Sequence, residues 1–283
     1  MPLVKTKSIL AHATENKYGV IAANTFNFET VKWAVKAAEQ ERMPIIVQFY
    51  PGFNSFISQK FIADMAITLA QGASVPVAVH LDHSTNYDVA ASGIKDGFPS
   101  IMVDGSALPY EQNVALTAAV VRAAHIFDVD VEAELGHVGS GSNIDDITNS
   151  SHFTDTNQAR NFVWETGCDA LAVAVGNAHG AYVQTPKLDF ARIKAIRKAV
   201  EVPLVLHGSS DIPDEQIQEA VNLGISKFNL ATEYFRAYYN ALDAIMARTK
   251  RKDAYSLVNS LEEPMVEFMR GKIRLLNPNK FSL

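Results

Sequence analysis

Cysteine is almost missing from this chain of 283 residues: Cys168 is the only one. No intrachain disulfide is possible, which excludes a stapled scaffold and suits a reducing cytoplasm, the expected location. Cys168 sits in WETGCDALAV, at the edge of an apolar run, and reads as a packing residue instead of a nucleophile. Long hydrophobic runs are missing too, since none approaches the roughly 18–20 residues that span a bilayer. The opening segment MPLVKTKSILAHATENKYGV has no apolar core or cleavage pattern of a secretory leader. Basic charge is not in excess: 25 Lys and Arg against 31 Asp and Glu leave a net charge of −6. Neither a nucleic acid nor a membrane surface is implied as partner, although a small phosphorylated ligand needs only local donors. No GxGxxG fingerprint follows the first strand-like run, which argues against a doubly wound dinucleotide-binding sheet.

What is present is a pattern of alternation. With 48% hydrophobic residues the chain can bury a full core. Short β-branched runs recur at 18–24, 44–49, 75–81, 100–105, 129–135, 170–175, 202–208 and 227–231. Several are continuously apolar, as strands covered on both faces should be. Segments of helical period lie between them, including 28–42, 155–167, 188–201 and 214–224; the second opens on Asp155 and closes on Gly167. Eight such strands alternating with helices predict an α/β fold, a (β/α)8 TIM barrel with extra C-terminal helices, as one domain over residues 1–283. The irregular stretch 136–153, GHVGSGSNIDDITNSSHF, is expected to be a mobile lid. The tail after about residue 232 is expected to be helical and to pack outside the barrel or at a subunit contact.

Barrel enzymes carry their chemistry at the carboxyl ends of the strands. There the sequence places Asn24 and Asn27, Asp82 and His83, Asp104, Glu134, His179, His207, and Asn229 to Thr232. Taken singly, each is more simply a turn or capping residue; their convergence on one mouth is what points to a site. Three histidines with an open fourth position form the ligand set of a catalytic Zn²⁺, assigned here to His83, His179 and His207. His80 precedes His83 by three residues, so strand alternation predicts opposite faces and a core or supporting role for His80. His12, His125 and His152 read as structural or solvated. Gly180, Gly208, Ser209, Ser210, Asn229, Leu230, Ala231 and Thr232 are placed to aim N–H and hydroxyl donors at a phosphate.

The motifs HLDH (80–83), VDGS (103–106), VEAELGHVG (131–139), LAVAVGNAHGAY (171–182), PKLDF (186–190), LVLHGSSDIPDE (204–215) and NLATE (229–233) resemble the class II, zinc-dependent ketose-bisphosphate aldolases over nearly the whole chain. HGSSD with NLATE looks closer to the tagatose-bisphosphate branch than to the fructose-bisphosphate branch, whose usual pattern is HGGSG. The resemblance implies reversible cleavage of a ketose 1-phosphate or bisphosphate to dihydroxyacetone phosphate and an aldehyde. It implies zinc on His83, His179 and His207, with Asp104 and Glu134 beside a second or alternative metal position, and Asp82 as the acid/base on the C4 oxygen. Asn24, Gly180, Gly208 to Ser210 and Asn229 to Thr232 would hold substrate and its C1 phosphate. It leaves room for a monovalent cation or a second divalent metal, and it suggests a homodimer or homotetramer.

Departures from the family pattern fall at one end of the substrate. Tyr50 replaces a small hydroxyl residue, and Phe235 stands where a basic residue holds the distal phosphate, with Arg236 one place on. RKDAYSLVNS (251–260) replaces an Asp-Pro-Arg-Lys-Tyr segment, and the lid glutamate falls at Ser142, with Asp145 or Asp146 as substitutes. These departures suggest a substrate phosphorylated only at C1, such as a sugar acid or deoxysugar derivative. Two rivals stand beside this reading. Schiff-base chemistry requires a lysine inside the barrel, and Lys227, next to Phe228, is expected at its lower end. A non-catalytic aldolase-associated subunit should have lost the ligands or Asp82, and a sugar-binding barrel without chemistry predicts no turnover for Asp82→Ala to remove.

Overall fold

In the computed structural model, which describes residues 2–248 and 253–282, parallel strands close on themselves in sequence order. The strands are β1 (Val20–Asn24), β2 (Ile45–Phe49), β3 (Val77–Ser84), β4 (Ser100–Val103), β5 (Asp130–Leu135), β6 (Ala170–Val173), β7 (Leu204–Leu206) and β8 (Ile225–Leu230). Their helices are α1 (Thr6–Asn16), α2 (Phe28–Glu41), α3 (Gln59–Gly72), α4 (Tyr87–Asp96), α5 (Tyr110–Ile126), α6 (Ile144–Thr148), α7 (Thr156–Thr166), α8 (Phe190–Ala199), α9 (Asp214–Asn222), α10 (Thr232–Arg248) and α11 (Ala254–Leu275). This is the expected (β/α)8 barrel with additional C-terminal helices. No helix among the described residues is long and apolar enough to cross a membrane.

Local chemistry sets the helix starts. Asn27 caps α2 by accepting the Thr30 N–H at 3.0 Å, in a reciprocal capping box with the Thr30 hydroxyl. It therefore serves the helix and not the barrel mouth. Asp155 caps α7 through the N–H groups of Asn157 and Gln158, and Gly167 ends that helix in the left-handed region, as the sequence suggests.

The strands are buried on both faces, except at His83 in the mouth and at Asp130, which opens β5 at the other end. Outside the barrel α11 lies on α2 through Leu261, Met265, Val266, Met269 and Ile273, all buried. Charged pairs flank that seam: Glu41 with Arg270 and Arg274, and Glu262 with Lys32 and Lys36. Arg251 and Lys252, which open the stretch 251–260, lie outside the described residues, while Asp253 caps α11 through the Ser256 N–H.

One irregularity shapes the mouth. The register of β3 against β4 slips between Leu81 and Ser84, and His83 has φ of 45°. This bulge turns His83 back toward the axis, so that Asp82 and His83, adjacent in sequence, both face the mouth. The period-2 argument that separated His80 from His83 fails at this bulge. His80 is nonetheless fully buried lower in the barrel, its Nδ1 2.7 Å from the Ser100 hydroxyl, in the supporting position expected of it.

Candidate active site

Three imidazole rings meet at the carboxyl end of the barrel. His83 lies 4.9 Å from His179 and 4.7 Å from His207 between ring centroids, and His179 lies 5.6 Å from His207. Each ring offers one nitrogen within 4.8 Å of the others. The opposite nitrogen of each is held from behind. His83 Nδ1 is 3.0 Å from Asp104 Oδ2, His179 Nδ1 is 3.2 Å from the Val138 carbonyl, and His207 Nε2 is 2.9 Å from Glu132 Oε1. His179 Nε2 and His207 Nδ1 are buried with no hydrogen-bond partner. Buried ring nitrogens without partners cost stability unless something takes their lone pairs. Rings fixed from behind and open in front match how proteins orient metal-binding imidazoles. The donor set therefore fits a divalent ion such as zinc.

Asp104 and Glu134 stand beside this trio. Asp104 Oδ1 accepts the N–H and hydroxyl of Ser106, and Glu134 Oε2 lies 2.9 Å from His207 Nδ1 without a directed hydrogen bond. His83, Asp104 and Glu134 also come within 4.8 Å of one another. Both Asp104 oxygens are engaged within the protein, so its clearest contribution is to orient His83.

Beneath the mouth runs a buried polar chain. Asn24 Nδ2 donates to Asp82 Oδ2 at 2.9 Å, and Asn229 Nδ2 donates to Asp82 Oδ1 at 3.2 Å. Gln48 in turn fixes Asn24 at 2.8 Å, and Lys227 Nζ fixes Asn229 at 2.8 Å. Lys227 also pairs with Glu132 Oε2 at 2.8 Å. The sequence expectation for Lys227 is thus corrected. Lys227 and Asn229 share strand parity, so both point inward, and the ammonium is enclosed between a carboxylate and an amide. Sequence reasoning missed two participants, Gln48 and, of more consequence, Glu132. Its signal was the same parity rule, since it lies two residues before Glu134.

The charges of this set are strongly coupled. Burial alone would raise the Asp82 carboxyl, but His83, Lys227, His207 and the Asn24 hydrogen bond hold it below the usual carboxylate range. Burial would also lower His207, yet the two carboxylates Glu132 and Glu134 raise it to about 10. His179 is pushed down to about 4 by burial and by His83 and His207.

A cleft of about 440 Å³ opens above these groups. Of the expected anion-binding set, Gly180, Gly208, Ser210, Asn229, Ala231 and Thr232 line it. Ser209 and Leu230 do not. The Ser209 hydroxyl donates to the Asn229 carbonyl at 2.6 Å, and the Leu230 side chain points outward into the helical layer, leaving only their backbone groups for the cleft. Gly208 has φ of 57°, and a Cβ there would stand 1.9 Å from the Ala178 carbonyl oxygen, so no other residue fits. The N-terminus of α10 begins at Thr232, bringing orphan N–H groups to the same wall.

An aromatic wall, formed by Tyr50, Phe53 and Phe235, also lines the cleft. No lysine or arginine among the described residues lines the cleft. Arg236 is clamped to Asp211, with Nη1 to Oδ2 at 2.9 Å, and so is not offered to a ligand. In the stretch 136–153, α6 and a 3₁₀ turn at Ser150–His152 form, and backbone pairing ties it to the segment after β6: Gly141 N–H to the His179 carbonyl at 2.7 Å, and His179 N–H to the Gly139 carbonyl at 2.8 Å. The proposed substitutes for a lid glutamate are not at the cleft. Asp145 is held by Asn143 and Asn149, Asp146 accepts the Ser140 N–H, and the Ser142 hydroxyl meets that of Ser140.

The sequence pattern of the fructose-bisphosphate aldolase class-II family matches residues 4–280. The Escherichia coli K12 protein YdjI is 41% identical over 225 residues, spanning 80% of this chain and 81% of YdjI. The crystal structure of the YdjI aldolase superposes with a TM-score of 0.88 at 35% identity, over 98% of both chains. That of a Coccidioides immitis putative fructose-1,6-biphosphate aldolase gives 0.86 at 26% identity, over 96% of both.

Proposed function

The chain belongs to the class II fructose-bisphosphate aldolase family, and from that premise we propose that it is a zinc-dependent lyase that reversibly cleaves a ketose 1-phosphate to dihydroxyacetone phosphate and an aldehyde. One observation carries the reading: three imidazoles, each held from behind, bring their remaining nitrogens together beside the carboxyl of Asp82. His83, His179 and His207 would hold the ion. When bound, it supplies a Lewis acid that polarises the ketose carbonyl and spreads the charge left on C3.

The protein's own groups do the rest. Asp82 takes the proton of the C4 hydroxyl as the C3–C4 bond breaks, the bonding pair remaining with C3, and returns it in condensation. Asn24 and Asn229 leave its oxygens one orientation. The cleft faces of Gly180 and Gly208 to Ser210, with the first turn of α10, hold the C1 phosphate. Retention of Asp82 and all three histidines disfavours a non-catalytic subunit. Lys227 does not line the cleft, which disfavours a Schiff base.

The aromatic wall favours a second, narrower reading in which the released aldehyde carries no phosphate. A charged distal group would meet Tyr50, Phe53 and Phe235 with no lysine or arginine on the cleft wall among the described residues. The test has two arms. Chelation is expected to abolish cleavage and Zn²⁺ to restore it; full activity in metal-free protein would overturn the zinc reading, and borohydride trapping of a lysine would replace it. In condensations with dihydroxyacetone phosphate, unphosphorylated aldehydes are expected to be preferred. Strong preference for glyceraldehyde 3-phosphate would refute the narrower reading alone.

A further inference from the structure

The lid carries a second set of metal-binding side chains that the mouth does not use. His137 stands at its root, Asp146 in α6 and His152 in the following turn. The His137 N–H donates to the His152 carbonyl at 2.8 Å, which closes the neck of the loop and sets the two rings 5.3 Å apart. Asp146 points between them. Its Oδ1 is 3.4 Å from His137 Nε2 and 3.8 Å from His152 Nδ1, while Oδ2 accepts the Ser140 N–H at 2.8 Å. His152 Nδ1 is buried and has no hydrogen-bond partner.

These donors are gathered without being bonded to one another. A tetrahedral ion with bonds of about 2.0–2.1 Å places its ligand atoms about 3.3 Å apart; the two carboxylate-to-imidazole spacings, 3.4 and 3.8 Å, lie close to that, and all three ligand atoms lie within 4.8 Å of one another. Two imidazoles and one carboxylate suit a borderline transition metal and not Mg²⁺ or Ca²⁺, which prefer oxygen ligands. The loop is also shaped around the carboxylate. A Cβ at Gly139 would lie 2.2 Å from it, so the backbone passes Asp146 at a distance only glycine permits.

We propose that His137, Asp146 and His152 form a second site for a divalent transition metal, separate from the histidine trio, which staples the lid shut at its neck. The staple has a route to the mouth. Asp146 holds Ser140, Ser140 bridges to His179, and the Val138 carbonyl receives His179 Nδ1. An ion on Asp146 therefore stiffens the segment after β6 that presents one of the trio.

The experiment counts ions. Full-length protein is stripped with a chelator, saturated with Zn²⁺, freed of excess, and its metal measured by elemental analysis. Wild type is expected to hold two ions per chain. His137→Gln, at a half-exposed position that tolerates the change, and Asp146→Asn should each hold one. His83→Ala should also hold one, and in that background Zn²⁺ should slow proteolysis within 137–153 at least several-fold, an effect lost when His137→Gln is added. Circular dichroism and melting of each variant confirm that it is folded. A single ion in wild type overturns the proposal. So does a second ion that persists in both lid variants, since it would then belong beside Asp104 and Glu134.

Discussion

Glu132 is the residue on which the geometry of the mouth turns. It is fully buried; burial alone would raise its carboxyl, but Lys227 and His207 hold it well below the usual range. One oxygen takes the His207 Nε2 proton, which leaves Nδ1 to face the other two imidazoles, and the other oxygen neutralises Lys227. A neutral amide cannot do both. Glu132→Gln is expected to weaken Zn²⁺ binding about 10- to 100-fold, as loss of a partner behind a ligand histidine does, measured by competition with a chromophoric chelator. It should also destabilise the fold by about 3–5 kcal/mol, because the Lys227 ammonium is left buried without its partner. The double variant Glu132→Leu with Lys227→Met separates the two effects. Urea denaturation should recover most of the stability, and zinc affinity should stay low. Recovery of both would show that Glu132 acts only on the fold. Glu132 and Lys227 were legible from the period of two along β5 and β8. Their position hides them, because the rule for barrel enzymes points to the last polar residue of each strand and both lie below it. His83 was legible as a candidate ligand, but its orientation was not, because a bulge with positive φ obeys no period.

At the scale of elements, the strands and their order follow from apolar runs separated by helical periods, and their ends do not. The run 202–208 yields a β7 of only Leu204–Leu206, because the chain must turn at Gly208 to bring backbone donors to the cleft. The stretch 136–153 reads as irregular because a five-residue helix leaves no periodic trace, and because its backbone pairing is with a segment some forty residues on, beyond any local pattern. The tail is legible as helical, but its docking on α2 depends on charges that only the fold pairs. Glu41 accepts from Arg270 at 2.6 Å and from Arg274 at 2.7 and 2.9 Å. Partial burial works to raise the Glu41 carboxyl, and the two guanidiniums outweigh it and lower it. A carboxylate depressed in the folded state stabilises fully above its unfolded value of about 4.3 and loses that contribution as pH falls through the folded value. Glu41→Gln should therefore cost about 1 kcal/mol at pH 7, discounted for the partly exposed arginines. The gap to wild type should begin to shrink near the unfolded value of about 4.3 and keep shrinking as pH falls through the lowered folded value. Urea midpoints of both proteins at pH 7, 5 and 3.5 check this, and a gap that persists undiminished at pH 3.5 would assign the effect to packing.

For the molecule as a whole, closure decides how it comes apart. Each strand pairs on both sides, so none is lost without breaking two ladders, and there is no free edge from which to fray. The three histidines of the mouth lie in β3 and in the segments that follow β6 and β7, so an ion held by them would tie β3 to the β6–β7 side of the ring. The net charge of −6 is no obstacle to the proposed phosphate, because the part of the cleft lined by Gly180, Gly208, Ser210, Ala231 and Thr232 carries no carboxylate. Cys168 reports on closure. It is buried just before β6, and burial raises its thiol to about 12, so it should be almost inert to a thiol reagent in the native state. In urea its labelling should appear at the midpoint seen by circular dichroism, since the β6 side of the barrel cannot open alone. Zn²⁺ at 100 times its dissociation constant should move both midpoints together, by about 2.7 kcal/mol of added stability per site. Labelling that precedes the circular dichroism transition, or that ignores zinc, would mean that the barrel opens locally at β6 and that the ion does not bridge the strands its ligands come from.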